Sequence, residues 1–346
     1  MQLPQMLARP VVSIITPTFN HESYICQCIA SVQGQSYQNW EQIIVDDGSA
    51  DRTRDVVRRY ADPRIRLVEQ PHQGIEALAA TYNRALSEAK GDLIAILEGD
   101  DIWPADKLST MVPIFQDLET ILAFGEVQDV DQAGVVAKGR SGTSRRRARL
   151  PRAILFNDPV RAATAYLLSV SGQSFIAPSS VVIRRDALEA IGGFQDVPGK
   201  CPVDVPTFAR LSLIGKFHYV PKLLGYRRRH LNSATIQYLD VMTNTAKGFA
   251  LRAAADPMFR LTAAERKSVE IAWSTVHFAA ELWLGRICLV RGLRKEARKH
   301  FAVAIKARKA LLVCASAMGW VLSWLHSDME GLARMAGRAA FVGDKT

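Results

Sequence analysis

The sequence predicts an α/β unit on a largely parallel sheet, followed by a helical C-terminal region. Three observations predict it: short β-branched runs alternate with longer helical stretches from Val11 onward, polar or acidic clusters close those runs, and late in the chain Gly and Pro become scarce.

The elements follow in order. VVSIIT is the first strand, and a helix over residues 22–33 carries Ile25, Ile29 and Val32 on one face. EQIIVDD and IRLVEQ are the second and third strands. A helix over 75–89 places Leu78, Tyr82, Ala85 and Leu86 on one side, and DLIAILEGDD is the fourth strand. Beyond about residue 120 the alternation loosens. Strands at 121–130 and 180–184 flank GRSGTSRRRARLP, whose Gly, Ser and Arg content predicts a mobile loop. A helix over 205–214 follows, then amphipathic helices over 271–290 and 295–309. The apolar run 310–325 contains Ser316, Gly319 and Ser323. It is shorter than the roughly 20 residues that usually span a bilayer, so a buried or interfacial helix is expected.

With 346 residues, 48% of them hydrophobic, the chain can bury one large core or two modest ones, which excludes wholesale disorder. A formal charge of +10 attracts anionic partners, whether nucleic acid, phosphate-bearing substrates or an anionic leaflet. The excess gathers at Arg145, Arg146, Arg147 and Arg149, at Arg227, Arg228 and Arg229, and over 291–299; each cluster reads equally as solvated surface. The five cysteines, Cys26, Cys28, Cys201, Cys288 and Cys314, form no CxxC pair, and their odd number argues against a disulfide framework. A reducing cytosol fits. The opening MQLPQMLARP lacks the apolar stretch of a signal peptide.

Open parallel sheets bind ligands at the carboxyl ends of their strands. Three clusters fall there: Thr16-Pro17-Thr18-Phe19-Asn20 with Glu22, Asp46-Asp47-Gly48-Ser49, and Glu98-Gly99-Asp100-Asp101. Carboxylates crowded in a cleft repel one another, so their coexistence calls for a cation, and oxygen ligands suit magnesium or manganese. Substrate phosphates would complete its shell. Taken alone, Asp47-Gly48-Ser49 also reads as a strand-to-helix turn with an N-cap. Three acids directly after LIAIL are harder to explain without a partner.

VSIITPTFN, ASVQGQSYQNWEQIIVDDGSADRT and AKGDLIAILEGDDIWPADKL together resemble the nucleotide-binding half of bacterial family 2 inverting glycosyltransferases, over roughly residues 11–110. The resemblance implies a GT-A fold: a Rossmann-like domain with a mixed, mainly parallel sheet. It divides the chain into a tail (1–10), a catalytic domain (11–235) and a helical region (236–346). Within the catalytic domain, 11–110 would bind nucleotide and 111–235 the acceptor. Carried over residue by residue, it implies that Thr16, Pro17, Thr18, Asn20, Glu22, Asp47 and Asp100 hold the nucleotide. The family's DxD-type motif maps onto Glu98-Gly99-Asp100, with Glu in place of the usual first Asp. Asp100 would be the principal contact of a manganese or magnesium ion, with Glu98 and Asp101 beside it.

In the second half, SSVVIRRDALEAIGGFQD, PVDVPTFARLSLIGKF and LLGYRRRHLNSAT match in the expected order. Where the family commonly has an acidic pair, this chain has Val203-Asp204, so Asp204 is implied as the catalytic base. As a bare residue at a helix start it reads as an N-cap. His230 and Arg228 are implied at the departing diphosphate, although a His beside three Arg is ordinarily a surface or loop residue. Asn83 is expected to be structural.

The implied reaction moves a sugar from a nucleotide-diphosphate donor, a UDP-sugar by family weight, to a hydroxyl of a saccharide or lipid-linked saccharide. Cell-envelope or exopolysaccharide synthesis is the implied setting. Nucleic acid is not an expected partner, and the expected place is the cytoplasm or, peripherally, the inner membrane face. A dinucleotide-dependent oxidoreductase is disfavoured because no GxGxxG follows the first strand, and a nucleotidyltransferase because PTFNHESY lacks a glycine- and lysine-bearing phosphate loop. A non-catalytic nucleotide-sugar binding protein acting through its helical tail stays open on account of Val203.

Overall fold

A computed structural model describes residues 10–136, 147–169, 175–197, 203–230, 233–307 and 310–324. Its strands are β1 (Val12–Thr18), β2 (Trp40–Asp46), β3 (Ile65–Glu69), β4 (Leu93–Ile96), β5 (Thr120–Val130), β6 (Val182–Arg184) and β7 (Lys216–Arg228). They form one sheet in the order β3-β2-β1-β4-β6-β5-β7. Only β6 runs antiparallel to its neighbours, so the sheet is mixed and mainly parallel, as expected.

The helices are α1 (Ile25–Gln33), α2 (Thr53–Arg58), α3 (Leu78–Glu88), α4 (Lys107–Met111), α5 (Arg152–Phe156), α6 (Thr164–Leu168) and α7 (Arg185–Ala190). They continue as α8 (Asp204–Leu211), α9 (Ala234–Gln237), α10 (Leu239–Ala255), α11 (Ala263–Val290), α12 (Arg294–Ala304) and α13 (Ala310–Leu322).

Strand alternation divides the core in two. Val12 and Ile14 of β1 face a cluster built with Ile25, Ile29 and Val32 of α1 and Leu108 and Met111 of α4. Ile15 faces the other cluster, with Tyr82 and Ala85 of α3 and Phe208 of α8. β4 is buried along its whole length, which explains why LIAI shows no polar alternation.

The described strand not foreseen is β7. Pro221 and a basic end disguise a strand of 13 residues. It lies at the sheet edge, and its pairing with β5 jumps from Val220 opposite Gly125 to Leu223 opposite Glu126. Pro221 and Lys222 bulge outward into solvent, where a missing N–H costs the ladder nothing.

Of the expected mobile loop, residues 137–146, with Arg145 and Arg146, lie outside the described residues, as does Cys201. Arg147 is not solvated surface: its buried guanidinium donates to the Gly125 and Phe175 carbonyls and to Glu126. The composition shift near 236 likewise marks no separate core at that point. Ala246, Ala250 and Ala253 of α10 and Trp273 of α11 belong to the cluster that packs under the sheet. Trp273 Nε1 donates to the Leu168 carbonyl at 2.7 Å.

Candidate active site

The strand order places β1 between β2 and β4, so the chain crosses to opposite sides of β1, and a crevice opens at the strand ends. A cleft of about 270 Å³ lies there, its walls including Pro17, Thr18, Phe19, Asp47, Glu98, Asp100 and Asp101. Backbone bonds join the three clusters: Asp47 N donates to Thr18 O, and Gly99 N to Pro17 O. Two glycines make the approach feasible. Gly48 has φ +69°, and a Cβ there would sit 2.5 Å from His72 N; one on Gly99 would sit 2.6 Å from Thr18 Oγ1.

The end of β7 supplies the opposite wall. Tyr226 and Ile102 exchange backbone hydrogen bonds of 2.8 and 3.1 Å, which carries the segment after β7 onto the acidic loop. Arg228 N then donates to Asp101 Oδ1 at 2.8 Å, and His230 Nε2 lies 3.0 Å from Asp100 Oδ2. His230 is buried behind Asp100 beside Tyr24 and His21, off the cleft wall.

The acids are tuned apart. Burial and the neighbouring Asp101 and Asp100 charges push Glu98 up to about 8, against the hydroxyl that Tyr82 donates to it. Asp101, buried and facing Asp100, rises to about 7, although Ser179 Oγ and the Arg228 N–H donate to it. For Asp100 burial also opposes ionisation, but the His21 charge and the His230 hydrogen bond outweigh it and hold the carboxyl below the usual range. The surroundings thus push Asp100 toward its charged form and Glu98 and Asp101 toward protonation.

This donor set fits a hard divalent cation. Crowded carboxyls, two of them driven toward protonation by burial and mutual repulsion, are what a cation would relieve. Among the described residues no trio of His, Cys, Asp and Glu stands ready at ligating spacing. Such an ion would take Asp100 and complete its shell from substrate phosphates, not from a preformed protein cage.

Several expected contacts have other employment. Thr16 Oγ1 accepts from Gln42 inside the sheet. Asn20, in the left-handed region at φ 54°, accepts from Ala50 N through its Oδ1 and donates its own N–H to Ser49 Oγ. Glu22 binds Arg52 at the surface. None of these three lines the cleft. Asp47 does, yet its carboxylate also accepts from Gln73 N and Gly74 N, both at 3.0 Å, and so orders the loop after β3. Arg228 lines the cleft, but its guanidinium donates to the Asp100, Asp131 and Gln132 carbonyls and to Gln27. Arg227 and Arg229 share Asp129, leaving this group one positive charge in excess on the cleft wall.

Asp204 opens α8 as its first helical residue; the N-cap is Val203, so the capping reading does not hold in its simple form. Burial raises the Asp204 carboxyl to about 6, against the N–H groups of Val205 and Asp204 that stabilise its charge. It does not line the 270 Å³ cleft, but its charge reaches Tyr82 and Glu98 at the cleft's edge. Val203 is buried in the main core, where a second acid would be costly. Asn83 is structural as expected: it clamps the Phe194 backbone with two hydrogen bonds of 2.8 Å.

Sequence reasoning gave no site role to five side chains: Phe19, His72, Ser179, Tyr82 and Lys107. Phe19 stacks on His72 with centroids 4.1 Å apart at the wall of the cleft. Ser179 donates to both Asp101 and Glu98, and its own carbonyl is held by Trp103 Nε1 and Lys107 Nζ. Tyr82 was legible only as an apolar position of α3, and nothing singled out Lys107; their partners come from distant stretches.

The fold and this acidic crevice define an α/β protein with a carboxylate-lined cleft at the ends of parallel strands. The family model "Glycosyl transferase family 2" matches residues 13–192, more than half of the chain. The chain belongs to glycosyl transferase family 2, with a GT-A fold. The glucosyltransferase WfgD of Escherichia coli, whose full name gives UDP-Glc as donor and a GlcNAc-diphosphoundecaprenol as acceptor, is 36% identical over 128 residues, covering 37% of this chain and 50% of WfgD. Chondroitin synthase of Pasteurella multocida is 28% identical over 235 residues, covering 67% of this chain and 22% of that enzyme. The chain thus spans about half the length of WfgD, or less in the longer relative. S. aureus TarS 1-349, solved with UDP-GlcNAc, superposes with a TM-score of 0.56 at 13% identity, covering 94% of this chain and 92% of that one. Mannosyltransferase PcManGT of Pyrobaculum calidifontis, solved with GDP-Man and Mn2+, gives 0.53 at 21% identity, covering 93% of this chain and 82% of that one. At these identities the structural likeness speaks for the fold.

Proposed function

We propose that the protein is a metal-dependent inverting glycosyltransferase that moves a sugar from a nucleotide diphosphate, a UDP-sugar by weight of its relatives, to a hydroxyl of a saccharide or lipid-linked saccharide. The observation that carries this reading is the 3.0 Å pairing of Asp100 with His230 at a cleft walled by Asp47, Glu98, Asp100 and Asp101. Envelope or exopolysaccharide synthesis is the proposed setting, in the cytoplasm or at the inner face of the membrane. WfgD, named for a lipid-linked acceptor, supports it.

The nucleoside would lie toward Pro17, Thr18 and Asp47, with its base beside the Phe19 and His72 rings. Asp100, seconded by Glu98, would hold a magnesium or manganese ion through oxygen. When bound, such an ion screens the charge of the diphosphate as it departs. His230 fixes the Asp100 carboxylate and keeps it ionised, while Arg227 and Arg229 set a positive charge on the same wall. Asp101 serves the loop, since its two oxygens accept from Arg228 N and Ser179. Asp204 takes the acceptor hydroxyl's proton as that oxygen attacks the anomeric carbon from the face opposite the diphosphate. The C–O bond to the diphosphate breaks as the new one forms, so the configuration inverts and no sugar–enzyme bond arises.

The test is transfer or hydrolysis of a nucleotide-sugar panel with Mn2+ or Mg2+, for wild type and Asp204→Asn. Loss of turnover in Asp204→Asn with nucleotide affinity intact supports the assignment. Wild type and variant equally inert across the panel would favour a non-catalytic binding protein.

A further inference from the structure

The last described helix, α13, packs the reverse of an ordinary surface helix. Its inward positions are Ser316, Gly319 and Ser323, all buried. They let α12 come close: Phe301 is wedged between Gly285 of α11 and Gly319, where an added Cβ would lie 2.6 and 2.5 Å from its ring. The large apolar side chains face solvent instead, with Met318 64%, Val321 49% and Trp324 56% exposed, and Trp320 beside them.

One end of this apolar strip is cationic, and the helix beside it is basic. The Arg298 guanidinium lies 4.0 Å over the Trp324 ring and donates to Ser323 O at 3.4 Å, joining a positive charge to the strip's end. Lys295, Lys299 and Lys306 of the α12 segment are exposed, and over residues 291–309 eight Arg and Lys stand against the single acid Glu296. No described helix is long and apolar enough to cross a membrane.

A second copy would bring the same positive charge against itself, which like-charge repulsion disfavours. An anionic lipid surface meets both features: Met, Val and Trp enter the headgroup boundary while Lys and Arg engage the negative headgroups. We propose that the outward face of α13, with the basic side chains of α12 beside it, docks the protein peripherally on an anionic lipid surface. This does not rest on the sugar-transfer reading.

Co-flotation of the full chain tests it, with phosphatidylcholine vesicles containing phosphatidylglycerol against phosphatidylcholine alone. The expected result is flotation with the anionic vesicles only, weakened by salt and abolished in Met318→Asp/Val321→Asp. Lys295→Ala/Lys299→Ala should weaken partitioning roughly thirtyfold, since each cation near such a surface is worth about one kcal/mol. These positions are exposed, so circular dichroism and thermal melting should match wild type. Unchanged flotation of Met318→Asp/Val321→Asp would overturn the proposal, and so would equal binding to neutral vesicles. Sedimentation velocity showing self-association that the same pair abolishes, without flotation of wild type, would assign the face to a second copy instead.

Discussion

The cleft end of the sheet and the helical C-terminal region solve opposite packing problems. At the cleft, polar and charged groups are buried and held by reciprocal bonds: Tyr82 to Glu98, Ser179 to Asp101, Lys107 to Ser179 O, His230 to Asp100. Where α11, α12 and α13 meet, small residues surround Phe301, and Met318, Val321 and Trp324 of α13 lie outside. The first arrangement spends stability to keep carboxyls that burial disfavours. The second keeps surface that water disfavours. Regions that forgo stability in this way are where ligands or surfaces are expected to act.

The comparison can be broken at either end. The largest effect is expected at Asp100→Ala, which should cut metal-linked nucleotide affinity and kcat/KM by about three orders of magnitude or more, while leaving the melting temperature within a few degrees. Calorimetry with and without EDTA reads it, and unchanged metal-linked affinity would remove Asp100 from its role.

Asp204→Asn should lower kcat by about 10²- to 10⁴-fold with little change in nucleotide affinity. The wild-type rate should fall tenfold per pH unit below about 6, where the base becomes protonated, and level off above it. Stability carries the opposite sign. A folded pKa raised above the usual aspartate value means the native state favours the neutral acid, so this group's contribution is best at low pH and is lost as pH climbs from about 4 to about 6. Relative to wild type, Asp204→Asn should gain at most about 3 kcal/mol across that window, measured by urea unfolding at several pH values.

On the helical side, Phe301→Ala should cost about 3–5 kcal/mol by opening a cavity between Gly285 and Gly319, and should leave nucleotide binding untouched. A parallel loss of affinity would mean the two regions are coupled. Smaller still, Asn83→Ala should cost about 1–3 kcal/mol by leaving the Phe194 backbone unpaired, with kcat unchanged, as a structural clamp requires.

Much of the cleft was legible because its signals are local. β1, β2 and β4 announce themselves as apolar runs, and the acids sit directly after them, so Asp47, Glu98, Asp100 and Asp101 could be singled out. β7 was not legible, since Pro221 and the run YRRR break the alternation that a strand shows. Thr16, Asn20 and Glu22 share a short turn with true wall residues, and sequence neighbours cannot be sorted into wall and scaffold by spacing alone. Arg147 read as surface because its buried partners, Gly125 O and Phe175 O, are carbonyls without a sequence signature.

By itself the sequence determined the α/β class, the helical end and the acidic clusters at strand ends, because periodicity and strand-end chemistry are written within a few residues. Only the tertiary structure decided which acid is pushed toward its charged form, that Arg227 to Arg229 line the cleft while Arg147 is buried, and which face of α13 meets water. Those outcomes depend on burial and on partners as distant as Asp100 and His230, and such pairings exist only once the sheet has brought its edges together.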